Sequence, residues 1–153
     1  MDEWPRLERI ASYQFGAGAG PALFADRTAL SITRSKSGRP RQIHGPAGRL
    51  VTLGGDGRFT LGLAGGRRLR DELVAPASRV VVGEESDPFV REGRNAFAKF
   101  VREADPSIRE GDEVLIVRKD DTLVGVGRAE LPATAMDDFE TGMAVAVREG
   151  AEE

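Results

Sequence analysis

The sequence has no cysteine and one histidine, His44, among its 153 residues. Because cysteine is absent, the chain cannot have a disulfide framework, a thiol nucleophile, or a cysteine-bound zinc or iron–sulfur centre. One histidine cannot build the common two- and three-histidine metal sites, and it leaves a single candidate for a histidine general base. We therefore expect no catalytic residues, no metal and no cofactor, and an autonomous enzyme is the least favoured class of protein.

Long apolar runs are also missing. The longest stretches fall well short of the roughly 20 residues needed to span a bilayer. The opening segment, MDEWP, lacks the basic and apolar regions of a signal peptide. We therefore expect a cytoplasmic protein that does not enter a membrane. The length suits one ordinary domain or two small ones, and a content of 40% hydrophobic and 31% charged residues is typical of a folded globular chain.

The net charge of −3 conceals a strong asymmetry along the chain. Residues 27–70 contain ten basic residues and one acidic residue, whereas residues 71–153 contain ten basic and twenty acidic residues. Neutralising phosphates with Lys and Arg releases condensed counterions, so this basic block predicts a polyanionic partner such as a nucleic acid. His44 lies in the same block and is interpreted as a surface or RNA-contacting histidine, because no sequence pattern supplies the other members of a triad.

Apolar periodicity and turn residues predict helices and two hairpins in the first half. Leu7, Ile10 and Ala11 have the spacing of one helix face, so a helix is predicted over 7–13, and the glycine-rich run 16–21 should break it. Strands are predicted at 29–34 and 41–44 around a turn at 37–40, and at 49–53 and 58–63 around a turn at 54–57. Residues 67–74 are predicted to form a short helix.

The stretch 75–78 is the best candidate for a domain boundary, and short strands with small helices follow it. Strands are predicted at 79–82, 96–101, 113–118, 122–131 and 143–148. Helices are predicted at 88–92, with Asp87 as the N-cap, and at 132–140, where Asp137 and Asp138 would lie early in the helix. The pattern predicts a compact, partly closed barrel, and an α+β fold for the whole chain.

Most aromatic side chains are predicted to be structural. Phe89, Phe97 and Phe100 are assigned to the core of the small barrel, because burial is the default for phenylalanine. Tyr13 and Phe15 flank the glycine-rich run and are expected to hold it against the sheet. The run lacks the GxxxxGK[ST] pattern and does not follow a strand, so a tight turn is favoured over a phosphate-binding loop.

Within residues 79–150 the sequence resembles the PUA domain, the module of pseudouridine synthases and archaeosine transglycosylases. The resemblance rests on the segments GRNAFAKF at 93–100, GDEV at 111–114 and VGRA at 126–129, which occur in that family's order and spacing. It implies a PUA domain over residues 77–153, folded as a β pseudo-barrel with short helices.

Residues 1–76 resemble the domain that precedes PUA in archaeal tRNA-guanine transglycosylases. The matching segments are YQFG at 13–16, GAG at 18–20, LF at 23–24 and SGRPR at 37–41. We expect a small basic α/β domain here. The catalytic barrel of those enzymes, with its aspartate nucleophile and zinc-binding cysteines, has no counterpart in this sequence. The resemblance therefore implies the RNA-docking end of such an enzyme without its chemistry.

Two groups of residues are candidates for contact with RNA. The PUA resemblance implies contact with the acceptor end of tRNA or another structured RNA through Arg91, Gly93, Arg94, Asn95 and Lys99. In physical terms, the glycine permits close approach of the backbone, the cations supply charge, and the amide offers hydrogen bonds. The basic block adds candidates for phosphate contact, which are Arg34, Lys36, Arg39 and Arg41.

These inferences predict a non-catalytic RNA-binding protein, with tRNA as the favoured ligand, acting in RNA modification or ribosome-related processes. The alternative is a protein-interaction subunit of a split RNA-modification enzyme such as an archaeosine-synthesis complex. This alternative follows from the acidic second half, which is unexpected in a lone RNA binder and would suit a basic partner.

Overall fold

The computed structural model describes residues 3–138 and 141–152. The chain divides into two compact units, Met1–Val74 and Ala75–Glu153. The first unit carries twelve basic and seven acidic residues, whereas the second carries ten basic and eighteen acidic residues. The charge asymmetry of the sequence is therefore an asymmetry between two folded units.

The first unit combines helices with an antiparallel sheet. Its helices are α1 (Trp4–Phe15), α2 (Ala19–Leu23) and α3 (Leu63–Glu72). Its strands are β1 (Ser31–Arg34), β2 (Pro40–Gly45), β3 (Gly48–Leu53) and β4 (Phe59–Leu61). Each strand pairs with the next one along the chain, so the sheet is a meander. Both predicted hairpins are confirmed.

Helix α1 forms because its apolar residues share one face. Leu7, Ala11 and Phe15 are buried and recur every four residues, which is the spacing of a helix that packs on one side. The predicted helix is confirmed and is longer at both ends. Gly16, with φ of 110°, ends it.

The glycine-rich run was predicted to be only a break, and this is wrong for its second part. After a turn at Gly18, helix α2 begins at Ala19. Gly20 explains why the helix fits there, because a Cβ at this position would lie 2.4 Å from the carbonyl oxygen of Glu8 in α1. The run therefore allows two helices to pack at very close range.

The sheet of the first unit has one apolar face and one polar face. Ile43, Val51 and Leu61 are aligned across β2, β3 and β4, and all are at most 1% exposed. Helix α3 contacts β3 and begins at Leu63, earlier than the predicted start at residue 67. Gly65 makes this possible, since a Cβ there would lie 2.1 Å from the carbonyl oxygen of Leu50.

The second unit is built on a mixed sheet of short strands. Its strands are β5 (Arg79–Val82), β6 (Ala96–Phe97), β7 (Val101–Ala104), β8 (Glu113–Val117), β9 (Leu123–Ala129) and β10 (Met143–Gly150). Its helices are α4 (Asp87–Arg91) and α5 (Ala133–Asp138). The strand order is β6-β10-β9-β8-β5-β7, and β5 runs parallel to β8.

The two edge strands show that this sheet curls on itself. Strands β6 and β7 lie at opposite edges of the sheet, yet only the 3-10 turn Ala98–Phe100 separates them in sequence. Three residues span at most about 10 Å, so the edges must approach each other. The core inside includes Val80, Val114, Val124 and Val145, all fully buried. The predicted α+β fold with a PUA-type pseudo-barrel is confirmed.

Three local predictions in this unit are wrong. Residues 96–101 do not form one strand, because the 3-10 turn interrupts it. The N-cap position of α4 is Ser86, and Asp87 lies inside the helix, where its carboxylate pairs with Arg91. Asp137 and Asp138 lie at the end of α5 rather than near its start. The last residue of the predicted helix, Glu140, lies outside the described residues.

Helices long and apolar enough to cross a membrane do not occur in the part of the chain that the structure describes.

Candidate nucleic-acid interface

The hairpin between β1 and β2 presents three cations to solvent. Lys36, Arg39 and Arg41 are exposed, and among the described residues none of them has a carboxylate partner. The turn is fixed by two backbone hydrogen bonds. Ser35 N–H donates to the carbonyl of Arg39 over 2.8 Å, and Gly38 N–H donates to the carbonyl of Ser35 over 2.9 Å. We call Lys36, Arg39 and Arg41 the hairpin cations.

Arg34 differs from the hairpin cations because it is already paired. Its guanidinium makes a two-pronged contact with the carboxylate of Glu3 and also donates to the carbonyl of Gly38 over 3.1 Å. The hydrogen bond from Arg34 holds the pKa of Glu3 below its usual value, and the same bond raises the pKa of Arg34. Arg34 therefore fixes the hairpin against the start of α1.

The polar face of the first sheet is lined by hydroxyl and amide side chains. Thr33, Gln42, Thr52 and Thr60 are in register across the strands and are exposed or half-buried. His44 lies two residues from Gln42, and its Nε2 is 3.1 Å from the Gln42 Oε1. Within the described residues its hydrogen-bond partner is thus an amide and not a carboxylate.

In the second unit, exposed aromatic and cationic side chains lie along residues 89–99. The Arg94 guanidinium sits over the ring of Phe89, 5.5 Å from its centroid. Phe89 and Phe97 are 49% and 47% exposed, so their assignment to the core was wrong. Phe100, also assigned to the core, is half-buried, and the ammonium of Lys99 lies 5.0 Å from its ring centroid. We call Phe89, Arg94, Phe97 and Lys99 the aromatic-cation segment.

Two of the residues implied by the PUA resemblance make contacts inside the domain. The Asn95 side-chain oxygen accepts a hydrogen bond from the Val147 N–H over 3.0 Å. Arg91 contacts Asp87 over 2.7 Å and donates to the carbonyl of Glu152 over 3.0 Å. Both side chains therefore join α4 and the following turn to β10 and the chain end that follows it.

Gly93 and Arg94 have a different environment. Gly93 has φ of +88°, which glycine adopts readily, and its N–H donates to the carbonyl of Val90 at the end of α4. Arg94 is 67% exposed, and its nearest carboxylate, on Glu92, is 3.8 Å away. This geometry leaves the guanidinium of Arg94 accessible from solvent.

Most other cations of the second unit are held in ion pairs. Carboxylates lie within 4 Å of the guanidinium groups of Arg79, Arg91, Arg102, Arg118, Arg128 and Arg148. Among the described residues, Lys99, Arg109 and Lys119 lack such a partner. The cations available to an external anion in this unit are therefore few.

A groove of about 600 Å³ lies between the end of β5 and the β8–β9 turn. Its walls carry both signs of charge, since Arg102 pairs with Glu85 and Arg118 pairs with Asp120. Hydrogen bonds from Thr122 and Arg118 lower the pKa of Asp120 to about 2. The groove therefore has no strong preference for an anion or a cation.

A metal centre is not indicated within residues 3–138 and 141–152, where no cluster of His, Asp or Glu has the arrangement of a metal site.

Sequence reasoning missed one exposed aromatic residue in the first unit. Tyr13 was expected to hold the glycine-rich run against the sheet, but it is 95% exposed, so that prediction is wrong. Phe15, its partner in the prediction, is buried. The signal was present in the helix period, because position 13 points away from the face that carries Leu7, Ala11 and Phe15.

Comparison with known proteins gives a family to each unit. Residues 5–76 match the family model described as the patch-forming domain C2 of tRNA-guanine transglycosylase, and residues 78–151 match the PUA domain. The chain therefore carries, in sequence order, a match to the C2 domain and a match to the PUA domain. Its C2 and PUA domains correspond to the C-terminal region of archaeal tRNA-guanine transglycosylase, and the recognition made from the sequence is confirmed.

The relatives are much longer than this chain. The tRNA-guanine(15) transglycosylase of Pyrococcus furiosus is 48% identical over 145 residues, which are 94% of this chain and 24% of the relative. The enzyme of the same name from Methanothermobacter thermautotrophicus is 42% identical over 151 residues, or 98% of this chain and 23% of the relative. The chain thus spans about a quarter of the length of these curated relatives.

Solved structures share the fold. A hypothetical protein from Pyrococcus horikoshii aligns with a TM-score of 0.71 at 20% identity, covering 99% of this chain and 91% of that one. A conserved PUA domain protein from Thermoplasma acidophilum aligns with a TM-score of 0.65 at 18% identity, covering 97% and 88%. At this level of identity the likeness concerns the fold.

Proposed function

We propose that this chain is a non-catalytic RNA-binding unit that recognises tRNA and serves RNA modification. The observation that carries the proposal is the set of hairpin cations. They lie on the β1–β2 hairpin of the C2 domain, exposed and without a carboxylate partner in the described chain. Unpaired cations can neutralise phosphates and so release the counterions condensed on a nucleic acid. This release supplies a large share of the affinity of proteins for nucleic acids.

The difference in net charge suggests different roles for the two domains in RNA binding. The C2 domain has a net charge of +5 and the PUA domain has a net charge of −8. Six arginines of the PUA domain form ion pairs with carboxylates. We therefore expect the C2 domain to make most of the phosphate contacts. The PUA domain would then contribute selectivity rather than long-range attraction.

The aromatic-cation segment is suited to an unpaired RNA end. Bases that are not in a helix can stack on aromatic rings and guanidinium planes, and RNA-binding proteins use this mode for sequence-specific contacts. Phe89 and Phe97 expose about half of their surface, and the Arg94 guanidinium carbon lies 5.5 Å from the centroid of the Phe89 ring. Within the group implied by the resemblance, Gly93, Arg94 and Lys99 would contact RNA, while Arg91 and Asn95 would position them.

The relatives named tRNA-guanine(15) transglycosylase motivate the choice of tRNA as ligand. We propose that the chemistry of modification is performed outside residues 1–153, and that this part of the system holds the substrate RNA. His44, with its amide partner, would contribute a surface contact.

The proposal is tested by electrophoretic mobility shift with tRNA and with a DNA duplex of similar length. Tighter binding to tRNA than to DNA at the same salt concentration is the expected result. Equal and weak binding to both would contradict specific recognition of tRNA.

A second candidate is an interaction subunit of a split modification enzyme. It is favoured by the acidic PUA domain, whose charge suits a basic protein surface. Purification from native extract separates the two candidates, because a stoichiometric protein partner, with no RNA retained, would favour the interaction subunit.

A further inference from the structure

The solvent face of α1 carries an aromatic residue in an unusual state. Tyr13 is 95% exposed, more than Val74, Phe89 or Phe97, which are the other exposed large apolar side chains of the described residues. Burial of an aromatic side chain stabilises a folded protein, but Tyr13 buries almost none of its surface within its own chain. A tyrosine in this position offers a flat, rigid surface to a partner.

Two arginines lie on the same stripe of the helix. Arg6, Arg9 and Tyr13 are separated by three and four residues, which is the spacing of neighbours on one helix face. All three are exposed, and they extend over about 10 Å of the helix axis. We call these three residues the α1 face.

The acidic residues of α1 and its N-cap form ion pairs with arginines outside the helix. Glu3 pairs with Arg34 of β1, and Glu8 pairs with Arg27 over 2.9 Å. Arg6 adds only a smaller contribution to the lowered pKa of Glu3, after that of Arg34. Arg9 has no carboxylate partner in the part of the chain that is described. The α1 face is therefore positive, and its aromatic ring lies at the end nearest Gly16.

We propose that the α1 face is a further binding site for RNA, at which Tyr13 stacks on an unpaired base while Arg6 and Arg9 contact the flanking phosphates. The proposal rests on the proposed RNA-binding function and adds a site that is separate from the hairpin cations and from the aromatic-cation segment. Stacking of a base on an aromatic ring with arginine beside it is the usual arrangement for single-stranded nucleic acids.

The contacts of Arg34 connect this site with the hairpin cations. Arg34 bonds both to Glu3, the N-cap of α1, and to the carbonyl of Gly38 in the hairpin turn. The hairpin therefore adjoins the first turn of α1. An RNA strand whose phosphates follow the hairpin cations would meet Arg6 next and then Arg9 and Tyr13. A polyanion is favoured over a protein as occupant because the charges of this face are both positive.

The experiment compares binding of a 12-nucleotide single-stranded RNA and an RNA duplex, measured by fluorescence anisotropy, for the variants Tyr13→Ala, Tyr13→Phe and Arg9→Gln. Tyr13→Ala should weaken binding of the single strand about tenfold and leave the duplex almost unchanged, since only unpaired bases stack on the ring. Tyr13→Phe, which keeps the ring, should bind like the wild type. Val74→Ala is the control for loss of an exposed apolar side chain, because Val74 is 84% exposed.

The outcomes also separate this inference from the proposed function. If Tyr13→Ala binds the single strand as well as the wild type does, while loss of the hairpin cations weakens binding of both RNAs, the α1 site is wrong and the RNA-binding function stands. If the wild type binds neither of these RNAs, the α1 site is overturned, and if it does not bind tRNA either, the proposed function is overturned as well. If Tyr13→Ala and Tyr13→Phe bind the single strand equally weakly, the Tyr13 hydroxyl and not the ring makes the contact. Stacking is then overturned. Arg9→Gln should reduce the salt dependence of binding by about one unit of slope.

Discussion

Arg79 of the PUA domain is 2% exposed, and Asp121 neutralises it through two hydrogen bonds. The Nε of Arg79 lies 2.8 Å from one carboxylate oxygen of Asp121, and the Nη2 lies 3.2 Å from the other. Asp121 belongs to the β8–β9 turn and has φ of +68°. The pair therefore holds a surface turn to the buried strand β5.

Asp121→Asn should destabilise the PUA domain. Asparagine keeps the shape of the side chain and tolerates a positive φ, but it removes the charge that compensates Arg79. Leaving a buried cation without its partner is strongly unfavourable. Because Asp121 is partly exposed, we expect a loss of about 2 kcal/mol in the free energy of unfolding, measured by urea denaturation.

The matched control for Asp121 is Glu110→Gln, which removes one exposed carboxylate of the same domain that pairs with no cation among the described residues. This control should unfold at the same urea concentration as the wild type. Equal stability of Asp121→Asn and Glu110→Gln would contradict the role given to the buried pair.

Asp105 makes the stability of the PUA domain depend on acidic pH. Burial acts to raise the pKa of Asp105, but hydrogen bonds from the Ser107 and Ser78 N–H groups and the Ser107 hydroxyl outweigh it and lower the pKa below 3.8. A lowered pKa in the folded state stabilises the fold above pH 3.8, and this contribution disappears as the pH falls through the folded-state pKa.

We therefore expect the free energy of unfolding to fall between about pH 5 and pH 2, and Asp105→Asn should show a smaller fall. Urea denaturation at several pH values measures both. If the two proteins lose stability in parallel, Asp105 is not a source of the pH dependence.

Gly65→Ala tests the close approach of α3 and β3. In an exposed helix this substitution would stabilise the protein by up to about 1 kcal/mol. Here the added Cβ would lie 2.1 Å from the Leu50 carbonyl oxygen, so we expect the opposite, a loss of about 1–3 kcal/mol. Gly55→Ala is the control, because a Cβ there meets nothing within 4 Å. Thermal unfolding of both variants gives the comparison, and a raised Tm for Gly65→Ala would contradict the packing.

The hairpins and most strands could be predicted because alternation and turn residues act locally. The break within the segment 96–101 could not be predicted, because it depends on pairing with strands that are distant in sequence. Ala98–Phe100 carries the chain from β6, which pairs with β10, to β7, which pairs with β5. A local pattern contains no information about which distant strand each half will meet. The start of α3 was missed for a similar reason, since Gly65 is explained by the backbone of β3.

The positive charge of the candidate site could be predicted from the sequence, but the exposure and hydrogen bonding of several of its side chains could not. The exposure of Lys36 and Arg39 follows from their position in a turn, and that of Arg41 from its place near the start of β2. The exposure of Phe89 and Phe97 does not follow from residue type, because α4 and β6 are too short to give a periodic pattern. The hydrogen bond from the Val147 N–H to the Asn95 side chain joins residues 52 positions apart. Only the fold brings these residues together.

Arg94 and Asn95 are neighbours that we expect to respond differently to substitution. Arg94→Ala should weaken tRNA binding several-fold without changing Tm, because its side chain is 67% exposed. Asn95→Ala should lower the free energy of unfolding by about 1 kcal/mol, because it leaves the Val147 N–H without its acceptor. Anisotropy with labelled tRNA and thermal unfolding of both variants give the comparison. A loss of stability in Arg94→Ala equal to that in Asn95→Ala would contradict this division.

The central claim is that the hairpin cations bind the phosphates of RNA. The most direct test is the salt dependence of tRNA binding for a variant in which Lys36, Arg39 and Arg41 are all changed to glutamine. Each lost phosphate contact lowers the slope of log affinity against log salt concentration by about one, so the account predicts a slope lower by about two to three. Arg102→Gln, which removes a cation already paired with Glu85, should keep the wild-type slope. A slope for the triple variant equal to that of the wild type would contradict the account.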